Sequence, residues 1–316
     1  VTRHRVGKAV TLALGADLVE KDELTDREAG DLAWQVVGSL GWREPDLDVG
    51  AYVAYRHVDS ASGYVTEAVA TDLYAHWAGS LDEDERLHLS LSFEGALISG
   101  STEEVRLPGA RWPLDVLQGG GVLRAHLRDR DLPLSYRLEL GYASGDADAG
   151  DGVLRAFRFD PGYRVGLILF DEILGRASAR GYDRVRDPEL VAVPTQGADR
   201  SVTQGSVTNV VYLNPQVWIT GCDGCFEARV GFLTAFAAAP LADAYQNALH
   251  GGYPANSWGK ANADGPLGYE LDLHVHGRVR AIDELELTVG AEYGLFIPGP
   301  ALAAADGAQG LDLVHK

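Results

Sequence analysis

The stretch YELDLHVHGRVRAI, residues 269–282, alternates between two kinds of side chain. Its apolar positions are Leu271, Leu273, Val275 and Val279. Its ionic positions are Glu270, Asp272, His274, His276, Arg278 and Arg280. A period of two predicts a β-strand with one apolar face and one charged face. The fold therefore depends on which of these two faces meets water.

The same alternation recurs in roughly eleven segments, each about the length that a tilted strand needs to cross a bilayer. A barrel filled by its own apolar side chains holds only about eight strands. The pattern therefore favours the inverted arrangement, with the apolar face toward lipid and the ionic face toward a watery lumen. A soluble β-sandwich or β-solenoid is the alternative. Aromatic residues on the apolar register support the membrane interpretation: they are Trp34, Trp42, Tyr55, Trp77, Tyr136, Tyr142 and Tyr293.

The connections between these segments alternate in length. Short polar turns are REPDLD, SLDEDE, RDRDLP, GCDGC and RAIDE. The longer connections are EKDELTDREAG, HVDSASGYVTEA, STEEVRLPGARWP and residues 144–206 and 238–267. Tight turns on one rim and long loops on the other are typical of a closed meander. We therefore predict an all-β chain, 1–316, forming a single transmembrane up-and-down antiparallel β-barrel of about 12 strands. Residues 144–206 would be a large external loop or plug, and 238–267 a second long loop.

The composition excludes several classes of protein. The formal net charge of −19 argues against nucleic-acid binding, which needs a basic surface. No apolar run approaches the ~18–20 residues of a membrane-spanning helix. The chain begins at Val1 and contains no Met, so we expect a mature or truncated chain whose targeting information is missing.

Residues 139–174, ELGYASGDADAGDGVLRAFRFDPGYRVGLILFDEIL, resemble a known family. They look like the alginate-export-like outer-membrane porins, in particular the versions of predatory and gliding Gram-negative bacteria. The most specific part is 157–172, and VTNVVYLNPQV (207–217) and ELTVGAEYGLFIP (286–298) also fit. The resemblance implies an outer-membrane β-barrel that passes small solutes or a polyanion.

The sequence also departs from that family. The family's barrel is larger than the strands counted here, and the chain ends in LDLVHK where such barrels usually end in a strand with a terminal aromatic residue. We therefore expect that residues are missing from one end or the other.

The ionic register supplies the candidate pore wall. Mixed charges on a watery wall orient polar solutes, and the planar fork of arginine suits carboxylates. The predicted pore-lining residues are Arg56, Arg124, Arg128, Arg137, Glu139, Glu227, Arg229, Glu270, Asp272, His274, His276, Arg278, Arg280 and Glu292. The same register carries Glu94, Glu286, His88 and His126. Alternatively, these groups pair with one another and only stiffen the wall. The sequence does not distinguish between selective passage of solutes, unselective leakage and a plugged barrel.

Residues 144–206 form a segment that is too long for a passive loop. Its hydrophobic run, Val165 to Phe170, must be buried, so we expect it to fold over or into the barrel mouth. Arg155, Arg158 and Arg164 would then line a constriction.

Two smaller motifs give further hypotheses. Cys222 and Cys225 lie in a predicted hairpin turn, which favours a turn disulfide, with free thiols as the alternative. Asp146, Asp148 and Asp151 form an oxygen-rich loop of the kind that holds Ca²⁺. A solvated acidic loop is the alternative for that stretch.

Catalytic signatures such as a Gly-x-Ser-x-Gly elbow, a Walker loop or a zincin helix are missing from the sequence. We therefore expect a channel for polar or anionic solutes in the outer membrane, with no enzymatic role and no organic cofactor. The alternative is a structural barrel that anchors a multiprotein surface or periplasmic assembly. Expected partners are outer-membrane lipid and lipopolysaccharide, small polar or anionic solutes, and partner proteins at the periplasmic rim, but no nucleic acid.

Overall fold

A computed structural model describes residues 2–6, 9–22, 25–106, 112–148, 150–191, 196–221, 225–282 and 285–316. Strands dominate this part of the chain. They are β1 (Thr2–Val6), β2 (Val10–Val19), β3 (Leu32–Arg43), β4 (Leu47–Asp59), β5 (Val65–Ser80), β6 (Leu87–Thr102), β7 (Leu114–Asp129), β8 (Leu134–Ala143), β9 (Val153–Leu154), β10 (Val210–Gly221), β11 (Phe226–Ala237), β12 (Pro266–Ile282), β13 (Leu285–Pro298) and β14 (Val314–His315).

The strands form one sheet in which sequence neighbours are also spatial neighbours. The order runs from β1 to β8 and then from β10 to β14, with every pair on this path antiparallel. The short strand β9 lies off the path, parallel to β7. The prediction of an all-β, up-and-down antiparallel fold is confirmed. Among the described residues, no pairing joins the β1 end of the sheet to the β14 end.

The two faces of β12 differ sharply in their exposure. Leu271 and Leu273 are each 38% exposed and Val275 is 46% exposed, whereas Glu270 is 1% and Asp272 is 4% exposed. The register keeps each face continuous, because Leu273 lies opposite Val230 and Tyr293 on the neighbouring strands. The apolar face is therefore turned outward, as the sequence predicted.

Tight turns and long loops lie at opposite rims of the sheet. The short connections span 44–46, 81–86, 130–133, 222–225 and 283–284, and the long ones span 20–31, 103–113, 144–209, 238–265 and 299–313. One predicted long connection is short: only residues 60–64 separate β4 from β5. The flanking residues HVD and VTEA continue the two strands beyond the apolar band. Polar residues at the ends of strands have the same composition as a loop, so the sequence predicts a loop there.

The connection between β8 and β10 folds back against the inner face of the sheet. We call residues 157–207 the inserted segment. It contains a π-helix (Leu169–Gly175), helix α1 (Arg176–Val185) and a 3₁₀ helix (Ala198–Ser201). Its two ends are held together, since the Phe159 amide donates to the Val207 carbonyl at 3.0 Å and the Thr208 hydroxyl donates to the Phe157 carbonyl at 2.6 Å.

The main hydrophobic core lies between this segment and the wall formed by β8 and β10–β13. From the segment it includes Ile168, Leu169 and Phe170, all buried, and from the wall it includes Tyr212 and Phe296. The apolar run that the sequence predicted to be buried thus covers the inner face of these strands. Burial of such side chains is worth about 1.5–3 kcal/mol each, which favours docking of the segment on the wall.

Helix α2 (Ala244–Leu249) belongs to the connection between β11 and β12 and packs against α1. A second, smaller core joins them through Val185, Val191, Ala198 and Tyr245. Two further 3₁₀ helices cover Arg27–Ala29 and Pro300–Leu302. In the described part of the chain, no helix combines the length and the apolar character needed to span a membrane.

Candidate functional site

The carboxylate of Glu270, on the inner face of β12, holds the inserted segment. Three consecutive backbone N–H groups donate to it: those of Leu167, of Ile168 at 2.7 Å and of Leu169 at 2.9 Å. These groups precede or begin the π-helix, where backbone donors have no partner within the helix. A buried carboxylate with three N–H donors is well compensated, so Glu270 serves as a docking anchor.

Gly166 makes this approach possible. Its φ of +67° lies in the left-handed region, which L-residues with a Cβ adopt at a cost. A Cβ at this position would also come within 2.8 Å of the Glu270 carboxylate. The glycine in the motif RVGLIL therefore lets the chain turn directly above the anchor.

A second wall carboxylate, Glu139 on β8, holds the inserted segment through a tyrosine. The Tyr163 hydroxyl donates to Glu139 Oε1 at 2.6 Å, and the wall residue Tyr212 donates to the same oxygen at 2.8 Å. Arg124 on β7 binds the other oxygen at 2.7 Å and lies 5.2 Å from the Tyr163 ring centroid. The segment is thus fixed at two points of the wall, one on β8 and one on β12.

Nearer the short-turn rim, the same side of the wall carries a cationic and aromatic cluster. The guanidinium groups of Arg137 and Arg229 lie 4.1 Å and 5.2 Å from the Trp218 ring centroid. Arg229 also contacts His274, whose Nδ1 lies 2.7 Å from a Glu292 carboxylate oxygen. Stacking on tryptophan holds both guanidinium groups in place while they keep their charge.

The inner face of the sheet also has side chains that the inserted segment does not cover. Inward-facing residues of β4, β5 and β6 keep exposed side chains, among them Tyr52, Tyr74 and Glu94. The inserted segment therefore covers part of the inner face, mainly on β8 and β10–β13 with Ala96 and Ile98 of β6 at its margin, and leaves Tyr52, Tyr74 and Glu94 accessible. The inner face is therefore covered in one part and accessible in another.

The structure places the other predicted pore-lining residues in several environments. Arg56 binds Asp22 at 2.6 Å and Thr25 at 2.7 Å at the long-loop rim. His276 lies 4.0 Å from Glu227, whereas Arg128 and Arg278 are exposed. The side chain of Arg280 lies outside the described residues. Glu139, Glu270 and Asp272 lie on the inner face beneath the inserted segment, where Glu139 and Glu270 bind that segment. The pore-lining role of all three stays a prediction.

The three arginines that we expected at a constriction bind within their own loop. Arg155 pairs with Asp151 at 2.6 Å, Arg158 donates to the Val202 carbonyl at 2.8 Å, and Arg164 pairs with Asp171 at 2.9 Å. These contacts stabilise residues 144–206. Their role in a constriction stays a prediction.

The acidic loop after β8 is organised by its own backbone. Asp146 accepts from the amide of Asp148 at 3.2 Å, and burial raises its pKa. Asp151 accepts from the Val153 amide at 2.9 Å; that hydrogen bond, with the guanidinium of Arg155, lowers the pKa of Asp151. The Ca²⁺ hypothesis for this loop stays a prediction.

The predicted disulfide involves one residue that the structure does not describe. Cys222 lies outside the described residues, so the disulfide with Cys225 stays a prediction.

One group of residues escaped the sequence analysis. Arg176, Arg180 and Arg184 follow one another at intervals of four along α1, together with Glu172 just before it. The spacing in EILGRASARGYDR is a helical signal. Residues 144–206 are predicted from the sequence as a loop or plug, and no helix is assigned to this spacing.

The composition of the outer face decides where the sheet resides. Large apolar side chains are exposed on strand after strand, from Leu14 on β2 to Ile297 on β13. A continuous apolar band of this extent belongs against acyl chains. Antiparallel strands that cross a bilayer in up-and-down order, with long loops on one rim, are those of outer membranes. The chain is therefore an outer-membrane protein.

Comparisons with known proteins give only distant likenesses. No family model and no curated protein matches the chain. It is similar in structure to OccK11 (OpdR) of Pseudomonas aeruginosa, with 11% identity and a TM-score of 0.47 over 94% of this chain and 64% of that one. The chain thus spans only part of the length of OccK11.

Two further solved structures are similar to lesser degrees. A FadL homologue of Pseudomonas aeruginosa has 9% identity and a TM-score of 0.36, over 93% of this chain and 68% of that one. The β domain of the Bordetella autotransporter BrkA has 13% identity and a TM-score of 0.24, over 90% of each chain. Nothing in these comparisons shows the alginate-export-like family, which stays a prediction.

Proposed function

We propose that this protein is an outer-membrane channel for small polar solutes, including anions, whose passage is narrowed by the inserted segment. The observation that carries the proposal is the difference in solvent exposure between polar residues of the inner face. Tyr52, Tyr74 and Glu94 on β4–β6 are exposed, while Tyr212, Glu270 and Asp272 on β10 and β12 are buried beneath the inserted segment. A purely structural barrel has no need to leave these polar groups accessible beside a folded loop.

The way in which the inserted segment is attached supports the same proposal. Its contacts with the wall include hydrogen bonds to Glu139 and Glu270 as well as apolar packing. Hydrogen bonds to carboxylates are directional and can be exchanged for water. A loop held in this way can be displaced without unfolding the sheet, which is the property required of a gate.

The test is the electrical behaviour of the purified full-length chain in planar lipid bilayers. We expect discrete conductance steps, with larger steps when the inserted segment is released by Glu270→Ala. Heat-unfolded protein at the same concentration is the control. The proposal is wrong if neither the unaltered chain nor the released variant produces steps, and in that case copurifying partner chains would favour an anchoring role.

A further inference from the structure

A cavity of about 590 Å³ lies beside helix α1. The π-helix and α1 form one side, and the β11–β12 connection and the last residues of the chain form the other. It lies on the side of the long connections, and the inserted segment supplies the side that carries the π-helix and α1. Its volume falls within the range of small-molecule sites, about 300–1,000 Å³.

The cavity is rich in basic side chains although the chain is acidic. Arg176, Arg180 and Arg184 line it from α1, and Lys316 lines it from the opposite side. Because α1 rises about 1.5 Å per residue, successive arginines are separated by about 6 Å along the helix. They therefore form a row on one face of α1 rather than a single cluster.

Two carboxylates neutralise only part of this charge. Glu172 is shared, since it pairs with Arg176 and also with Lys316 at 2.7 Å. Asp243 accepts from the amides of Tyr245 and Gln246 and from the Ser257 hydroxyl at 2.9 Å. Among the side chains that line the cavity, four are basic and two are carboxylates, so the side chains carry two positive charges in excess, in a protein whose formal net charge is −19.

Arg180 is the residue that this arrangement leaves available. Its neighbour Arg184 stacks 3.7 Å from the Tyr245 ring centroid, and Arg176 is held by Glu172. Among the described residues, Arg180 has no hydrogen bond, ion pair or ring contact, and it is exposed. Its guanidinium is thus unpaired in the middle of the row.

Apolar groups complete the cavity. Ile173, Trp258 and Leu311 line it alongside the basic row. A Cβ at Gly181 would overlap the carboxylate of Asp243, so this glycine lets α1 come close to the loop that carries Trp258. A ligand could therefore place charged groups on the arginines and a carbon body against the indole.

We propose that this cavity binds a small dianionic organic solute before it passes through the channel, with Arg180 as the principal contact. The proposal rests on the proposed channel function. The excess of two positive charges matches two negative charges, and the planar guanidinium binds carboxylate or phosphate oxygens in a bidentate manner. Dicarboxylates and phosphate monoesters share this chemistry.

The first test is direct binding, measured by calorimetry on the full-length protein in detergent. The probes are succinate, glycerol phosphate and, as the monoanion, propionate. We expect at least one dianion to bind more tightly than propionate, and the stronger of the two dianions identifies the source of the charge. Equal binding of propionate and both dianions, or no binding of either dianion, would overturn the proposal.

The second test uses two arginine variants. We expect Arg180→Gln to weaken dianion binding about tenfold, as loss of one charge-assisted bidentate contact does. Arg186→Gln is the matched control, because Arg186 lies at the end of the same helix and stacks on Tyr182 outside the cavity. An unchanged affinity in Arg180→Gln, or an equal loss in both variants, contradicts the assignment.

Block of single-channel current separates this inference from the channel proposal. We expect the preferred dianion to reduce the current of the unaltered protein and to have a smaller effect on Arg180→Gln. Conductance without dianion binding refutes only the binding site. Dianion binding without any conductance supports the site and refutes the channel.

Discussion

Replacing Glu270 with alanine is expected to release the inserted segment and raise single-channel conductance. The substitution leaves the three backbone N–H groups of Leu167, Ile168 and Leu169 without their buried acceptor. Hydrogen bonds to charged groups contribute about 1.5–3 kcal/mol each. A loss of even about 3 kcal/mol shifts the balance between docked and released segment about a hundredfold.

Two further variants sharpen this experiment. Glu270→Gln keeps one acceptor oxygen but places an NH₂ group beside the N–H donors, so we expect an intermediate conductance. Glu227→Gln is the matched control, because Glu227 also lies on the inner face of the wall but its carboxylate is 4.0 Å from His276, near the short-turn end of β11. Equal conductance in Glu270→Ala and Glu227→Gln would show that Glu270 does not hold the segment.

Replacing Leu273 with arginine is expected to prevent stable insertion of the sheet into lipid vesicles. Leu273 lies near the middle of β12 and is exposed on the outer face. An arginine on the lipid face of a barrel costs about 2–4 kcal/mol at the bilayer midplane. The measurement is the fraction of protein that folds into vesicles, followed by the altered gel mobility of the folded form.

The control for that variant introduces the same side chain on the other face of the same strand. His276 points inward beside Glu227, so His276→Arg should gain an ion-pair partner and fold normally. If Leu273→Arg and His276→Arg fold equally well, the outer face of β12 does not contact acyl chains.

The alternating pattern of β12 was enough to predict both faces correctly, because strand geometry forces successive side chains to opposite sides. The burial of the run from Val165 to Phe170 was likewise predictable, since five apolar side chains within six residues of a loop must avoid water. The contact that holds this run was not predictable. Glu270 and Leu167 are separated by 103 residues, and a wall carboxylate can face water or backbone N–H groups with the same local sequence.

The basic row on α1 could not be predicted for a different reason. The spacing of Arg176, Arg180 and Arg184 is visible in the sequence, yet a helix so short and polar is marginal by itself. It forms here because the π-helix before it and α2 beside it provide packing partners. The lengths of strands β4 and β5 were predicted too short for a different reason. Their ends extend beyond the apolar band and lose the alternating pattern.

The most direct test of the account is the environment of single residues in β12. Nitroxide labels would be placed one at a time at 271, 273, 275, 276 and 278, in a chain whose two cysteines are replaced by serine, and reconstituted in lipid. We expect collisions with oxygen to dominate at 271, 273 and 275, and collisions with a water-soluble nickel chelate to dominate at 276 and 278. If labels at 271, 273 and 275 are shielded from both reagents, these side chains pack inside a water-soluble core and the membrane arrangement is wrong.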